Sequence, residues 1–219
     1  MYLPAHFEET RPEVLHELMR CHPLGLLITQ ARAQSATAAA AIEANALPFH
    51  LEPTRGAHGT LVAHVARANP VWRESRADGE VLVVFQGPQA YISPAWYASK
   101  AATGMVVPTW NYVLVEARGR LVVRDDAAWV HALVSGLTDL HEAGRAEPWQ
   151  VSDAPADYIA ATQRAIVGIE IEITAITGKW KVSQNRSAAD RAGVVSGLQA
   201  SGRDDAATLV ARDGATPAR

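Results

Sequence analysis

The sequence predicts an α+β fold whose strands form an antiparallel barrel rather than a parallel, doubly wound sheet. Three observations carry this expectation. Strand-like segments follow one another with helices inserted among them, without the regular βαβ alternation of a parallel sheet. Two segments alternate with a period of two: Val113, Val115, Leu121 and Val123 in one, and Ile169, Ile171 and Ile173 against Glu170, Glu172 and Thr174 in the other. The 219 residues are 48% hydrophobic and 20% charged, an ordinary globular composition with enough chain to bury a sizeable core.

The elements follow in order. After Thr10, Pro12 suits an early helix position and Val14, Leu15, Leu18 and Met19 share one face, so a short amphipathic helix is expected up to His22-Pro23. Leu24 to Gln30 and Thr37 to Leu51 read as two strands joined by a polar turn around Gln34 and Ser35, although the Ala-rich part also suits a helix. Gly59 to Ala66 and Val81 to Ile92 read as strands, with a short helix from about Asn69 to Arg76 between them. Thr109 to Arg124 is a long β segment, and the Arg118-Gly119-Arg120 break suggests a hairpin there. Asp125 or Asp126 caps a helix carrying Trp129, Leu133, Val134, Leu137 and Leu140 and ending at Gly144. Asp153 and Pro155 open another, to about Ile166, before the strand that runs from Ile169 towards Gly178-Lys179-Trp180. A last helix covers about Ser187 to Leu198, and Ser201 to Arg219, poor in large apolar groups, is expected as a frayed tail. Residues 1–200 thus read as one domain with helical insertions, and 201–219 as a disordered appendage.

Charge and cysteine usage exclude several function classes. A formal net charge of −3 provides no global footprint for nucleic acid or an anionic membrane, so any DNA contact must be local. The single Cys21 rules out an internal disulfide and a cysteine-based metal cluster. The amino-terminal segment lacks the pattern of a signal peptide and no apolar run is long enough to span a membrane, so a cytoplasmic protein is expected. Phosphate-loop, dinucleotide-fingerprint, zincin and nucleophile-elbow motifs are absent, and the histidines are scattered singly, so no metal site is expected.

Four segments concentrate chemistry. Between Tyr91 and Tyr112 lie five of the fourteen Phe, Trp and Tyr residues, Tyr91, Trp96, Tyr97, Trp110 and Tyr112, interleaved with Lys100, Thr109 and Asn111 in a Gly- and Pro-punctuated, mostly loop-like stretch. Such rings either bind a ligand or seal a barrel end or subunit interface. Only three lysines stand against seventeen arginines, and Lys100, Lys179 and Lys181 all lie in aromatic-rich segments, where a compact ammonium suits a phosphate or carboxylate. In His64-Val-Ala-Arg67-Ala-Asn69-Pro70, Arg67 and a helix start form either an anion site or a capped helix with a solvated arginine. In Gly178 to Arg186, Lys179 and Lys181 share a strand face opposite Trp180, leading to a polar turn that either completes an anion site or is a basic strand edge.

Together the segments His64 to Pro70, Phe85-Gln-Gly-Pro-Gln-Ala-Tyr-Ile-Ser-Pro-Ala-Trp-Tyr97, Val107-Pro-Thr-Trp-Asn-Tyr112 and Gly178-Lys-Trp-Lys-Val-Ser-Gln-Asn185 resemble the PaiB-type FMN-binding negative transcriptional regulators. The resemblance runs from Met1-Tyr-Leu-Pro to about Leu198. It implies an antiparallel split β-barrel of the flavin-reductase and pyridoxamine-oxidase kind with peripheral helices, and a homodimer with FMN in each of two grooves between subunits. On this resemblance Arg67, Asn69 and His64 are candidates for the phosphate or ribityl chain. Lys100, Thr109, Trp110 and Asn111, with Tyr91 and Trp96 of the same cluster, are candidates for the ring and its surroundings, and Lys179 and Gln184 for groups supplied across the dimer.

The function implied is FMN-binding negative regulation of transcription, with flavin redox state as a possible signal. DNA contact has weak support: no helix-turn-helix is found, and the Ser187 to Leu198 helix, flanked by Arg186 and Arg191, is the best candidate. A flavin-dependent oxidoreductase or flavin reductase is the alternative. A third reading keeps the fold with another ligand, such as haem, for which His64 is the candidate.

Overall fold

The computed structural model describes residues 1–31, 41–75 and 79–213. The chain divides into two compact units, each assembled from several stretches: Met1–His22, Phe85–Val115 and Thr177–Arg219 form the first, Pro23–Val84 and Glu116–Ile176 the second.

After a 3-10 turn at Ala5–Phe7 and the short strand β1 (Glu8–Glu9), the first unit contains α1 (Pro12–Cys21). Pro12 starts α1 where a missing N–H costs nothing, and Leu15, Leu18 and Met19 are buried as the periodicity predicts. In the second unit, β2 (Leu24–Gln30) pairs antiparallel with β3 (Ile42–Pro48), and β4 (His50–Glu52) pairs with β5 (Thr60–Ala66). The expected turn at Gln34 and Ser35 and the Ala-rich start of the second strand lie outside the described residues. A single turn of helix, α2 (Val71–Glu74), follows, shorter than expected. Asn69 Oδ1 accepts from Val71 N at 3.0 Å, so it caps that turn.

Strand β6 (Glu80–Ile92) leads through a 3-10 turn at Pro94–Trp96 and α3 (Ser99–Thr103) to β7 (Thr109–Arg124). The aromatic stretch read as mostly loop thus has strand at both ends: Tyr91 belongs to β6 and Trp110 to β7. The hairpin expected at Arg118-Gly119-Arg120 does not form, because β7 runs straight through it. Gly119 is there for close approach: a Cβ on it would stand 2.1 Å from the Glu172 carbonyl oxygen.

Asp126 caps α4 (Ala127–Glu142), its side chain accepting from Trp129 N at 2.7 Å. Trp129 in turn lies against Gly168, where a Cβ would be 2.1 Å from the indole. A 3-10 turn at Val151–Asp153 precedes α5 (Ala156–Arg164). Strand β8 (Ile166–Lys181) begins where the helix was expected to end, pairing Val65 with Val167 and Leu61 with Ile171. Alternate residues of these strands, Leu27, Val83, Leu61, Val65, Ile169 and Ile171, build the apolar interior of the second unit. The strand order is β3-β2-β6-β7-β8-β5-β4, with β1 against β8.

In the first unit Ser187 caps α6 (Ala188–Ala200), its hydroxyl accepting from Asp190 N at 3.1 Å. Within the stretch expected as a frayed tail, Asp204–Asp213 form α7, which buries Ala206, Ala207 and Val210 in its own unit, while 214–219 lie outside the described residues. These small residues at helical spacing carry too little apolar mass to stand out in the sequence.

Candidate functional site

The first unit gathers most of the residues singled out by sequence. Two large rings emerge from neighbouring strands. Tyr91 is 50% exposed and Trp110 47%, and they meet edge to face with centroids 6.1 Å apart. Gln89 fixes the indole, its Oε1 accepting from Trp110 Nε1 at 2.7 Å. Both rings are thus held in place but left open rather than sealed in a core.

Behind these rings lies a polar layer. Asn111 is buried and donates from Nδ2 to Ser183 Oγ at 2.9 Å. Thr109 Oγ1 accepts from Lys181 Nζ at 2.6 Å, and the Trp110 carbonyl accepts from the same ammonium at 2.7 Å. Burial, joined by the nearby charges of Lys179 and Arg186, pushes the Lys181 pKa below the ordinary lysine value. Lys179 is 8% exposed and donates to the Tyr2 carbonyl at 2.9 Å, with the Tyr2 and Tyr112 rings 5.6 and 5.3 Å away. Arg186 covers the Tyr97 ring at 4.7 Å, and the buried Tyr97 hydroxyl has no hydrogen-bond partner within the described chain.

The turn after β8 has its own logic. Ser183 has φ +68°, the one left-handed non-glycine residue among the described residues. Gln184 folds back on this turn, accepting from Val182 N at 2.8 Å and donating to the Trp180 carbonyl. Its amide, expected to reach a ligand across a dimer, is occupied locally. Trp96 is likewise placed structurally, its ring covering Gly197, where a Cβ would stand 2.3 Å from it. Lys100 is exposed on α3.

The second unit holds the other three candidates. Arg67 already has an anion: Nη1 and Nη2 clasp Asp125 at 2.9 and 2.6 Å, while Nε donates to the Arg164 carbonyl at 2.7 Å and Nη2 to that of Ile166 at 3.1 Å. Asn69 Nδ2 donates to Asn45 Oδ1 at 2.9 Å. His64 is half-buried, its Nδ1 is unpartnered, and burial lowers its pKa. A cleft of about 700 Å³ between α4 and α5, lined in part by His131, Asp139 and Gln163, contains none of the candidates.

The sequence offers Lys181 to an anion only through its aromatic-rich surroundings and its spacing from Lys179, and carries no sign of Asp125 as the partner of Arg67. The left-handed Ser183 has no sequence signal, since serine rarely adopts that conformation. The helix offered for DNA is committed to its own unit. Asp190 of α6 is buried and accepts from Ser99 N at 2.9 Å and Ser99 Oγ at 3.1 Å, and Arg191 donates to the Arg186 carbonyl at 2.6 Å.

Comparison with known proteins adds five findings. Residues 1–175 match the family described as "Putative FMN-binding domain". The chain is 30% identical, over 91% of its length and 89% of the relative, to the Bacillus subtilis protease synthase and sporulation protein PAI 2. It is 34% identical, over 93% of both chains, to an uncharacterized protein of Aspergillus fumigatus. Among solved structures, the flavocytochrome Anf3 of Azotobacter vinelandii has a TM-score of 0.53 at 12% identity, covering 80% of this chain and 69% of that one. The FAD and haem binding protein of Mycobacterium smegmatis has a TM-score of 0.52 at 17% identity, covering 80% and 73%. The antiparallel strands with helices have the split-barrel fold, shared with these two solved structures.

Proposed function

Because the chain belongs to the PaiB-type family of FMN-binding proteins and its cofactor is FMN, we propose that it is an FMN-dependent negative regulator of transcription acting as a homodimer. The observation that carries the cofactor's placement is the half-exposed Tyr91–Trp110 pair at the strand ends that also present Thr109 and Lys181. An isoalloxazine needs apolar or aromatic walls and polar groups at its edge, and the phosphate needs a cation. The first unit has all of these, so its residues fit the group. Trp110 and Tyr91 would wall the ring, Gln89 would keep the indole oriented, and Asn111 would hold the supporting turn through Ser183. FMN, when bound, supplies one- and two-electron redox chemistry.

Regulation in this reading runs through the flavin and through protein contacts, not through groove reading by α6. The packing of α6 supports that choice, because its Asp190, Val194, Gly197 and Leu198 are buried. The likeness in fold to a flavocytochrome and an FAD and haem binding protein fits a second reading, a flavin-dependent oxidoreductase whose effect on transcription is indirect. NAD(P)H bleaching of the bound flavin with turnover supports the second reading; a flavin inert to both nicotinamides removes it.

The regulatory reading is tested by comparing transcript levels in host cells lacking the chain, carrying it, or carrying Trp110→Ala. The expected result is a set of transcripts raised in the deletion, lowered again by the wild type, and left raised by a folded Trp110→Ala that no longer retains FMN. Full repression by that flavin-free variant would make the FMN-dependent reading untenable.

A further inference from the structure

Several cations among the described residues sit on carboxylates. Arg11 sits on Glu9 at 2.5 Å, Arg67 on Asp125 at 2.6 Å, Arg212 on Asp213 at 2.9 Å, and Arg124 on Glu170 at 2.5 Å, where Arg55 joins it. Lys179, Lys181 and Arg186 have no carboxylate within 4.0 Å among the described residues. They nevertheless lie close enough for Lys179 and Arg186 to act electrostatically on Lys181. Arg186 lies close enough to act on the Asp190 carboxylate, while the like charges of Lys179 and Lys181 cost free energy that a bound anion recovers.

Within this cluster Lys181 is the group built to receive a ligand. Its ammonium has three N–H donors and no acceptor. Two donors are fixed by neutral oxygens, Thr109 Oγ1 at 2.6 Å and the Trp110 carbonyl at 2.7 Å, which hold the nitrogen in place without neutralising it. Lys179 is buried against Tyr2 and Tyr112 and is more enclosed. Arg67, the residue that the sequence offers to a phosphate, already spends four of its five donors on Asp125 and two carbonyls.

We infer that Lys181, supported by Lys179 and Arg186, is the phosphate-binding cation of the chain and receives the 5′-phosphate of FMN. The inference rests on the FMN reading and sharpens it, assigning the preference for the phosphorylated flavin to one side chain at the junction of β7 and β8. A phosphate monoester brings close to two negative charges, a better match to the cluster than a single carboxylate. Lys181 is a binding residue in this account and has no part in the flavin's redox chemistry.

The test is a pair of fluorescence titrations, FMN and riboflavin, on the wild type, Lys181→Met and Lys181→Arg, with thermal melting to confirm folding. The wild type is expected to bind FMN at least about tenfold more tightly than riboflavin, the size of one charge-assisted contact. Lys181→Met should lose most of that ratio, through a larger loss of FMN affinity than of riboflavin affinity. Lys181→Arg should keep most of the ratio, and so guards against a folding defect in the methionine variant. An undiminished ratio in folded Lys181→Met overturns the inference and leaves FMN binding standing. A wild type that binds neither flavin overturns the FMN reading itself.

Discussion

Asn111 Nδ2 donates to Ser183 Oγ at 2.9 Å, joining the buried start of β7 to the left-handed residue of the turn that follows β8. The contact lies one residue from Trp110 on one side and two from Lys181 on the other. It therefore ties the ring platform to the cation that closes β8. A non-glycine residue in this conformation costs about 1–3 kcal/mol and persists only where its surroundings hold it. Asn111 and the folded-back Gln184 are the groups that do so here.

The Ser183 turn separates strain from bonding. Ser183→Ala keeps the strained backbone and strips Asn111 of its acceptor, with an expected loss of about 1–3 kcal/mol. Ser183→Gly loses the same bond and relieves the φ penalty, so its loss should be smaller by about 1 kcal/mol. Urea unfolding of both variants reads the difference. A glycine variant less stable than the alanine variant would contradict the account of the turn.

Arg67 and Asp125 should act as one unit. Asp125 is held below the ordinary carboxylate range chiefly by the Arg67 hydrogen bonds, with burial opposing and the charges of Arg67 and Arg73 assisting. A carboxylate with a lowered folded pKa stabilises above its unfolded value, and that contribution disappears as pH falls through the folded value. Arg67→Ala and Asp125→Ala should each raise hydrogen exchange around 164–167, the double variant should do no more than either, and FMN discrimination should persist. Loss of FMN discrimination in folded Arg67→Ala would return the phosphate role to Arg67.

Much of the fold is readable from the sequence, and the failures have physical causes. Period-two alternation locates β7 and β8, and Asp126 and Ser187 mark helix starts because their oxygens accept from amides two or three residues on. The break expected at Gly119 fails because glycine marks either a turn or a close approach, and only the position of the Glu172 carbonyl decides between them. The partner of Arg67 lies 58 residues away in sequence, so an arginine beside a helix start looks free until the chain is folded. The aromatic cluster is found correctly as a group but not as individuals: Trp96 covers a glycine of α6, while Trp110 and Tyr91 are open.

His64 gives a second pH signature. Burial lowers its pKa, so the folded protein resists protonation that the unfolded chain accepts. Its neutral form is compatible with full stability above the ordinary imidazole value of 6.5, and stability should fall as pH drops below that value towards the folded pKa. Denaturant midpoints measured from pH 8 down to about pH 5 should show this slope, which His64→Gln should flatten. An identical slope in the variant would mean that the imidazole is not its source.

The central claim, that FMN is held on the face carrying Trp110 and Tyr91, is tested most directly by titrating purified wild type and Trp110→Leu with FMN, following flavin fluorescence and tryptophan quenching together. The account predicts saturation at one FMN per chain in the wild type, with weakened binding in the folded variant and loss of most of the quenching. Saturable binding with unchanged affinity and quenching in Trp110→Leu would contradict the placement of the flavin on this face, and the absence of saturable binding in the wild type would contradict FMN binding by this chain.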